Sequence, residues 1–187
     1  MSEISYKNGI IKLEPHNLDD VKYIKLPNEP FQVIGKLTPC YNNGIWSALE
    51  VIFDEPYEKT YPNDNLDYIN NAFLNNNDTA IYLYFCDNIY AGHICMWKHW
   101  NNDCHIDDIA VRRDFRRLGI GKKLIEQAII WAKNKNLKGL RLETQDINLI
   151  ACRFYQKCGF VLGSVDTLLY RNFDNCDEKA LFWYLCF

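Results

Sequence analysis

The sequence predicts an α+β fold, with a mixed, mostly antiparallel central sheet and helices crossing over its middle. Three observations predict it. Residues 80–111 form three β-rich segments joined by tight polar turns. An amphipathic helix follows directly behind a glycine-bearing loop, and the last third runs strand, helix, strands. The chain is expected to be one domain over 1–187, with its best-supported core at 81–165.

Taken in order, the first thirty residues are polar and assign to no element. Phe31–Leu37 reads as a strand, and Tyr41-Asn42-Asn43-Gly44 has turn chemistry, Gly44 being free to take a positive φ. Ile45 to Phe53 fits a strand or a helix equally by periodicity. Asn63 to Asp78, rich in Asn and Asp around Leu66, Tyr68, Ile69, Ala72 and Phe73, is expected to hold a short surface helix. Ala80–Cys86, Ile89–Trp97 and Cys104–Val111 are strands of a meander turning at Asp87-Asn88 and at Asn101-Asn102-Asp103. Leu124, Ile125, Ala128, Ile129 and Ala132 recur at three- and four-residue spacing, which predicts a helix over Ile120–Lys135. Gly139–Gln145 is a strand. Asn148 opens a helix that runs to Cys158 and stops at Gly159. Phe160–Val165 and Ala180–Cys186 are closing strands around a polar loop.

Composition narrows the function classes. The 187 residues carry 21 basic and 24 acidic side chains, a net charge of −3, which argues against a nucleic-acid binder and favours a cationic small molecule. No stretch reaches the ~18 consecutive apolar residues of a membrane helix. Met1–Leu13 lacks the pattern of a signal peptide, so a cytoplasmic location is expected. The eight cysteines include no CxxC pair and are read as reduced thiols. Cys86, His93, Cys95, His99, Cys104 and His105 are six potential ligands within twenty residues, but without the close pairing of zinc sites; no metal is expected.

The segment that carries chemistry is Ile109-Ala110-Val111-Arg112-Arg113-Asp114-Phe115-Arg116-Arg117-Leu118-Gly119-Ile120-Gly121-Lys122. A strand ends at Val111 and a helix starts near Gly121, with four arginines around two glycines. Unpaired N–H groups and the dipole at a helix N-terminus attract anions, and glycine lets the backbone approach a phosphate closely. A nucleotide or CoA pyrophosphate fits. A P-loop does not, because Lys122 is followed by Lys123 and no glycine stands five residues before Gly121. A dinucleotide fingerprint fails for want of a third glycine at Leu124.

Arg116-Arg117-Leu118-Gly119-Ile120-Gly121 resembles the R/Q-x-x-G-x-G/A loop of the GNAT superfamily of N-acetyltransferases. Asn148-x-x-Ala151-x-x-x-Tyr155-x-x-x-Gly159-Phe160 resembles that superfamily's next segment, so the likeness covers about Ile81 to Val165. A narrower likeness spans nearly the whole chain. Pro27-Asn-Glu-Pro-Phe-x-Val-Ile-Gly-Lys, Leu142-Glu-Thr-Gln-Asp-x-Asn-Leu-Ile-Ala-Cys, Gly163-Ser-Val-Asp-Thr and Glu178-Lys-Ala-x-Phe182-Trp-Tyr-Leu are similar to streptothricin acetyltransferases.

The resemblance implies the GNAT acyl-CoA N-acyltransferase fold. It also implies direct transfer of acetyl from acetyl-CoA to an amine in a ternary complex, with streptothricin, on its β-lysine portion, as acceptor. Backbone groups of Ile109, Ala110 and Val111 would bind the thioester and pantetheine arm. Arg116, Arg117, Leu118, Gly119, Ile120, Gly121 and Lys122 would hold the pyrophosphate. Tyr155 matches the tyrosine that protonates the departing thiolate. Asn148 caps its helix or touches the cofactor.

Asp107 is the candidate base for the acceptor ammonium. Strict alternation would place it on the face of His105, and Asp108, a candidate substrate ligand, on the face of Ile106. Glu50 and Asp54, with Glu55 and Glu58, supply further carboxylates for a cationic substrate, and Trp46, Tyr57 and Tyr61 supply rings to stack on it. A homodimer is expected by family habit, with no nucleic-acid or membrane partner. Two readings stay open: another small amine or a protein N-terminus as acceptor, and a non-catalytic acyl-CoA sensor.

Overall fold

A computed structural model describes residues 7–26, 28–62 and 67–187. In chain order its elements are β1 (Gly9–Lys12), a 3-10 turn (Pro15–Asp20), α1 (Val21–Ile24), β2 (Phe31–Asn42), β3 (Ile45–Lys59), α2 (Asn71–Asn75), β4 (Thr79–Cys86), β5 (Ile89–Lys98), β6 (Cys104–Val111), a 3-10 turn (Arg113–Phe115), α3 (Ile120–Asn134), β7 (Gly139–Gln145), α4 (Leu149–Lys157), β8 (Val161–Asp166) and β9 (Ala180–Cys186). Contacts gather into two compact units, 1–29 with 62–138 and 30–61 with 139–187.

The first unit is built on the meander. β4, β5 and β6 pair antiparallel in sequence order, and β1 adds antiparallel to the outer side of β4. Asp87 and Asn88 both take positive φ, the geometry a two-residue hairpin turn requires. One face of the sheet carries Ile81, Leu83, Phe85, Tyr90 and Cys95. They are buried with Leu13, Val21, Ile24, Ile69 and Leu74 from the segments around α1 and α2. α3 packs against β4, β5 and β6. Its buried stripe of Leu124, Ile125, Ala128, Trp131 and Ala132 is the one the periodicity predicts, except that Trp131 replaces Ile129. α2 is the short helix expected in Asn63–Asp78. It starts only at Asn71, where Asn70 Oδ1 accepts from the N–H groups of Ala72 and Phe73. The opening of that stretch, 63–66, lies outside the described residues, as do Pro27 of the quoted resemblance and 1–6 of the N-terminal reading.

The second unit holds two sheets. β2 and β3 form a long antiparallel hairpin turning at Asn43 and Gly44, both at positive φ. The undecided segment Ile45–Phe53 is therefore strand. Its periodicity is blurred because Ile45, Leu49, Val51 and Ile52 are all large, apolar and exposed. The other sheet has the order β7-β9-β8, all antiparallel, around the buried Trp183, Leu140, Leu142 and Leu181. α4 packs on β2, and Arg153 on α4 donates Nε and Nη2 to the carboxylate of Glu50 on β3. Asn148 caps α4 by accepting from Ala151 N–H at 3.2 Å, and Gly159, at φ 92°, ends it.

No helix among the described residues is long and apolar enough to cross a membrane. All eight cysteines are free thiols: Cys40, Cys176 and Cys186 are exposed, whereas Cys95, Cys104 and Cys152 are buried. Burial pushes the thiols of Cys104 and Cys152 up to about 12.

Candidate active site

The anion loop leaves β6 at Val111, makes the 3-10 turn Arg113–Phe115 and enters α3 through two left-handed residues, Arg117 at φ 65° and Gly119 at φ 81°. Gly119 occupies the N-cap of α3 without a side-chain cap, and the first helical bond runs from Lys123 N–H to the Gly119 carbonyl, 3.1 Å. The N–H groups of Ile120, Gly121 and Lys122 thus form the uncapped first turn of a fifteen-residue helix, where the dipole favours an anion. Ile120 is buried and holds the turn down, while Leu118 is 65% exposed.

Two side chains brace this loop, and one of them is invisible to sequence reasoning. Arg116 donates Nε to the Val111 carbonyl at 2.9 Å. Glu29 accepts from the backbone N–H of Arg113 at 2.6 Å and lies 3.5 Å from the Arg116 guanidinium. Glu29 stands 84 residues before Arg113, so no local pattern links them.

β6 also carries the two aspartates, and here the alternation expected from sequence fails. Cys95 pairs with Asp108 but Met96 pairs with Ile106, so Asp107 is the extra residue of a β-bulge. The bulge turns Asp108 away from the face of Ile106 and onto that of His93, Cys95, Trp97 and His105. Asp107 is exposed; it accepts from the Tyr68 hydroxyl at 3.4 Å and lies 4.0 Å from His105 Nε2. Asp108 meets His93 Nε2 at 2.5 Å, and His93 Nδ1 in turn meets the Tyr90 hydroxyl at 2.5 Å. Burial raises the pKa of Asp108, but the charge and hydrogen bond of His93 and the Ile109 N–H more than reverse this, leaving it below the usual carboxylate value. Ile109, Ala110 and Val111 are half-buried and pair with Ile94, His93 and Gly92.

In the second unit Tyr155 is buried on α4, its ring 5.4 Å from that of Phe154 and 5.9 Å from that of Phe160. Asn148, besides capping, donates Nδ2 to the Tyr61 hydroxyl at 3.0 Å. Tyr61 packs on Phe31, centroids 4.8 Å apart, and burial raises its pKa.

The expected carboxylate group on β3 is dispersed. The Arg153 hydrogen bonds hold Glu50 below its ordinary pKa, Asp54 is exposed, and Glu58 accepts from Gln32. A carboxylate that sequence reasoning passed over is Glu143 on β7, which accepts from the Tyr170 hydroxyl. Burial raises its pKa and that hydrogen bond offsets only part of the rise. Within L-R-L-E-T-Q its polar alternation reads as a solvated face, which hid it. Among the described residues no three His, Cys, Asp or Glu side chains gather as a metal site would require; His93 spends both ring nitrogens on Tyr90 and Asp108.

Within the first unit, then, a strand with an acidic bulge leads through an arginine-rich loop into an uncapped helix N-terminus. Residues 46–160 match the model of the acetyltransferase (GNAT) family, and the chain belongs to that family of N-acetyltransferases. It is 42% identical over 178 residues to streptothricin acetyltransferase A of Bacillus subtilis (strain 168), covering 95% of this chain and 99% of that protein. It is 37% identical to a streptothricin acetyltransferase of Escherichia coli, over 69% of this chain and 70% of that one. A crystal structure from Bacillus anthracis str. Ames, described as a candidate streptothricin acetyltransferase in complex with acetyl coenzyme A, superposes with a TM-score of 0.83. The two are 37% identical, with 95% of this chain and 98% of that one covered. The mixed α+β architecture is thus the GNAT fold.

Proposed function

We propose that this chain inactivates streptothricin by transferring acetyl from acetyl-CoA to one of its amino groups, on the β-lysine portion, in a ternary complex. The observation that carries the reading is the 42% identity to the Bacillus subtilis enzyme along 95% of this chain. The acetyl-CoA complex of the Bacillus anthracis relative supports the choice of co-substrate.

In this reading the first turn of α3 and the loop from Arg116 to Lys122 receive the pyrophosphate, largely through backbone N–H groups. The acceptor nitrogen must be neutral to attack, yet a lysine-type ammonium has a pKa of about 10.4, so Asp107 takes its proton directly or through water. Attack on the thioester carbon forms the C–N bond. Backbone N–H groups around Ile109–Val111 stabilise the oxyanion, an effect worth about 3 kcal/mol for a single well-aimed donor. Collapse breaks the C–S bond, and Tyr155 delivers a proton to the departing thiolate. Asp54 and Asp108 offer negative charge to a cationic acceptor. Glu50 contributes less, because Arg153 already neutralises it.

The test is CoA release from acetyl-CoA with streptothricin, an aminoglycoside and a lysine-containing peptide as separate acceptors. Release with streptothricin is expected. Turnover of the peptide alone would replace this reading with a protein acetyltransferase, and CoA binding without turnover on any amine would favour the sensor. Tyr155→Phe is expected to lower kcat by about 10²-fold with acetyl-CoA affinity held within twofold; an unchanged kcat would remove Tyr155 from the mechanism.

A further inference from the structure

We propose that His93 and Tyr90 are positioning residues that hold Asp108 as a fixed anionic anchor for an ammonium group of the acceptor, leaving Asp107 to take the proton. The inference rests on the acetyl-transfer reading above and concerns two side chains that reading does not use.

His93 is 4% exposed, and Tyr90 is 6% exposed. Polar groups placed among Phe85, Cys95 and Tyr23 lose water and must recover hydrogen bonds from one another. They do so as a chain: Tyr90 hydroxyl to His93 Nδ1, His93 Nε2 to Asp108 Oδ2. The direction at the aspartate is fixed whatever the protonation of the ring. An ionised carboxylate can only accept, so a neutral ring carries its proton on Nε2 and accepts from the tyrosine at Nδ1, and an imidazolium carries a proton on Nε2 too. In both forms Nε2 donates to the carboxylate.

The chain has one open end. The His93 side chain is 5% accessible and that of Asp108 is 42%. A carboxylate offers about four lone-pair sites. His93 Nε2 and the Ile109 N–H occupy two of them, which leaves capacity for an incoming cation. Tyr23 stacks on Tyr90 with centroids 5.2 Å apart, and the rings of Tyr90 and His93 are themselves nearly parallel, 18° from coplanar, so the support is packed as well as hydrogen-bonded. The depressed pKa of Asp108 fits an anchor that keeps its charge and is a poor acceptor of protons, which assigns the second task to Asp107. The bulge at Asp107 is what permits the arrangement, because in unbroken alternation Asp108 would leave the face of His93.

The experiment is steady-state kinetics of His93→Leu, His93→Gln, Tyr90→Phe and Asp108→Asn, with CoA affinity by calorimetry as the check on folding. Streptothricin is the acceptor; lysinamide and spermidine are run beside it. Asp108→Asn and His93→Leu are expected to raise acceptor KM at least tenfold while acetyl-CoA KM stays within twofold. His93→Gln, whose amide nitrogen can still donate to Asp108, is expected to recover most of the loss, and Tyr90→Phe to cause a smaller rise. A folded His93→Leu with unchanged acceptor KM overturns the proposal, as does an equal rise in both KM values or a Gln variant no better than Leu. Should His93→Leu fail to fold, Asp108→Asn decides by the same criterion. A wild type that turns over lysinamide or spermidine but not streptothricin overturns the substrate reading alone, and the variants are then judged on the amine it accepts. Turnover of none of the three overturns both.

Discussion

Gly119 shows how closely the turn into α3 is specified by a single backbone angle. Its φ of 81° lies in the left-handed region, and a Cβ added there would meet nothing within 4 Å. Replacement by alanine therefore costs conformational strain, about 1–2 kcal/mol, without steric collision inside the protein. In the proposed CoA-binding role, the same Cβ would stand in the loop that receives the pyrophosphate. Gly119→Ala is expected to lower the melting temperature by a few degrees and to weaken CoA binding about tenfold by calorimetry. Arg117, at φ 65°, already bears such strain, so Arg117→Gly is expected to stabilise the loop slightly instead. The glycines were readable in sequence because their spacing sits between a strand and an amphipathic helix. Tyr155 was not readable from its own chemistry, since a buried tyrosine flanked by Phe154 and Phe160 is also what a core requires; only its spacing from Asn148 and Gly159 singled it out.

The anion loop depends on an element far from it in the chain. Glu29 caps the N–H of Arg113 and faces Arg116, so the segment before β2 sets the geometry of the loop after β6. Exposed ion pairs contribute less than ~1 kcal/mol, and a charge-assisted bond to a backbone N–H adds a comparable amount. Glu29→Ala is accordingly expected to raise acetyl-CoA KM several-fold with kcat unchanged, and to speed amide exchange at 113–116. Glu29→Gln, which keeps an acceptor for Arg113, is expected to fall between. The elements themselves were largely legible. Strand β7 and helices α3 and α4 followed from alternation or helical periodicity, whereas β4 and β5, buried along most of their length, followed from short apolar, β-rich runs between turn residues. β3 resisted because apolar side chains occupy both its faces. The bulge on β6 resisted because one extra residue leaves no mark in a sequence, yet it decides where Asp108 points.

At the scale of the molecule, two half-buried carboxylates pull stability in opposite directions with pH. Asp108 titrates below its ordinary value, so its contribution is present above pH ~4 and is lost as the pH falls. Glu143 titrates above its ordinary value: the unfolded chain gives up that proton first, and the fold loses stability as pH rises beyond the usual carboxylate range. Glu143→Gln keeps an acceptor for the Tyr170 hydroxyl without the charge. It is expected to be more stable than wild type in urea at pH 8 and no more stable at pH 4; a parallel offset at both would show that charge is not the cause. The contact joins residues 27 apart, with α4 and β8 between them in the chain, which is why no sequence pattern announced it. The thiols, finally, govern how the reaction can be watched. Disulfide-exchange dyes that register liberated CoA also titrate Cys40, Cys176 and Cys186, which face solvent, and reach Cys95, Cys104 and Cys152 only on unfolding. Each trace therefore begins on a burst proportional to enzyme and blind to substrate, and exposure of the three buried thiols on denaturation adds a further rise that is not turnover.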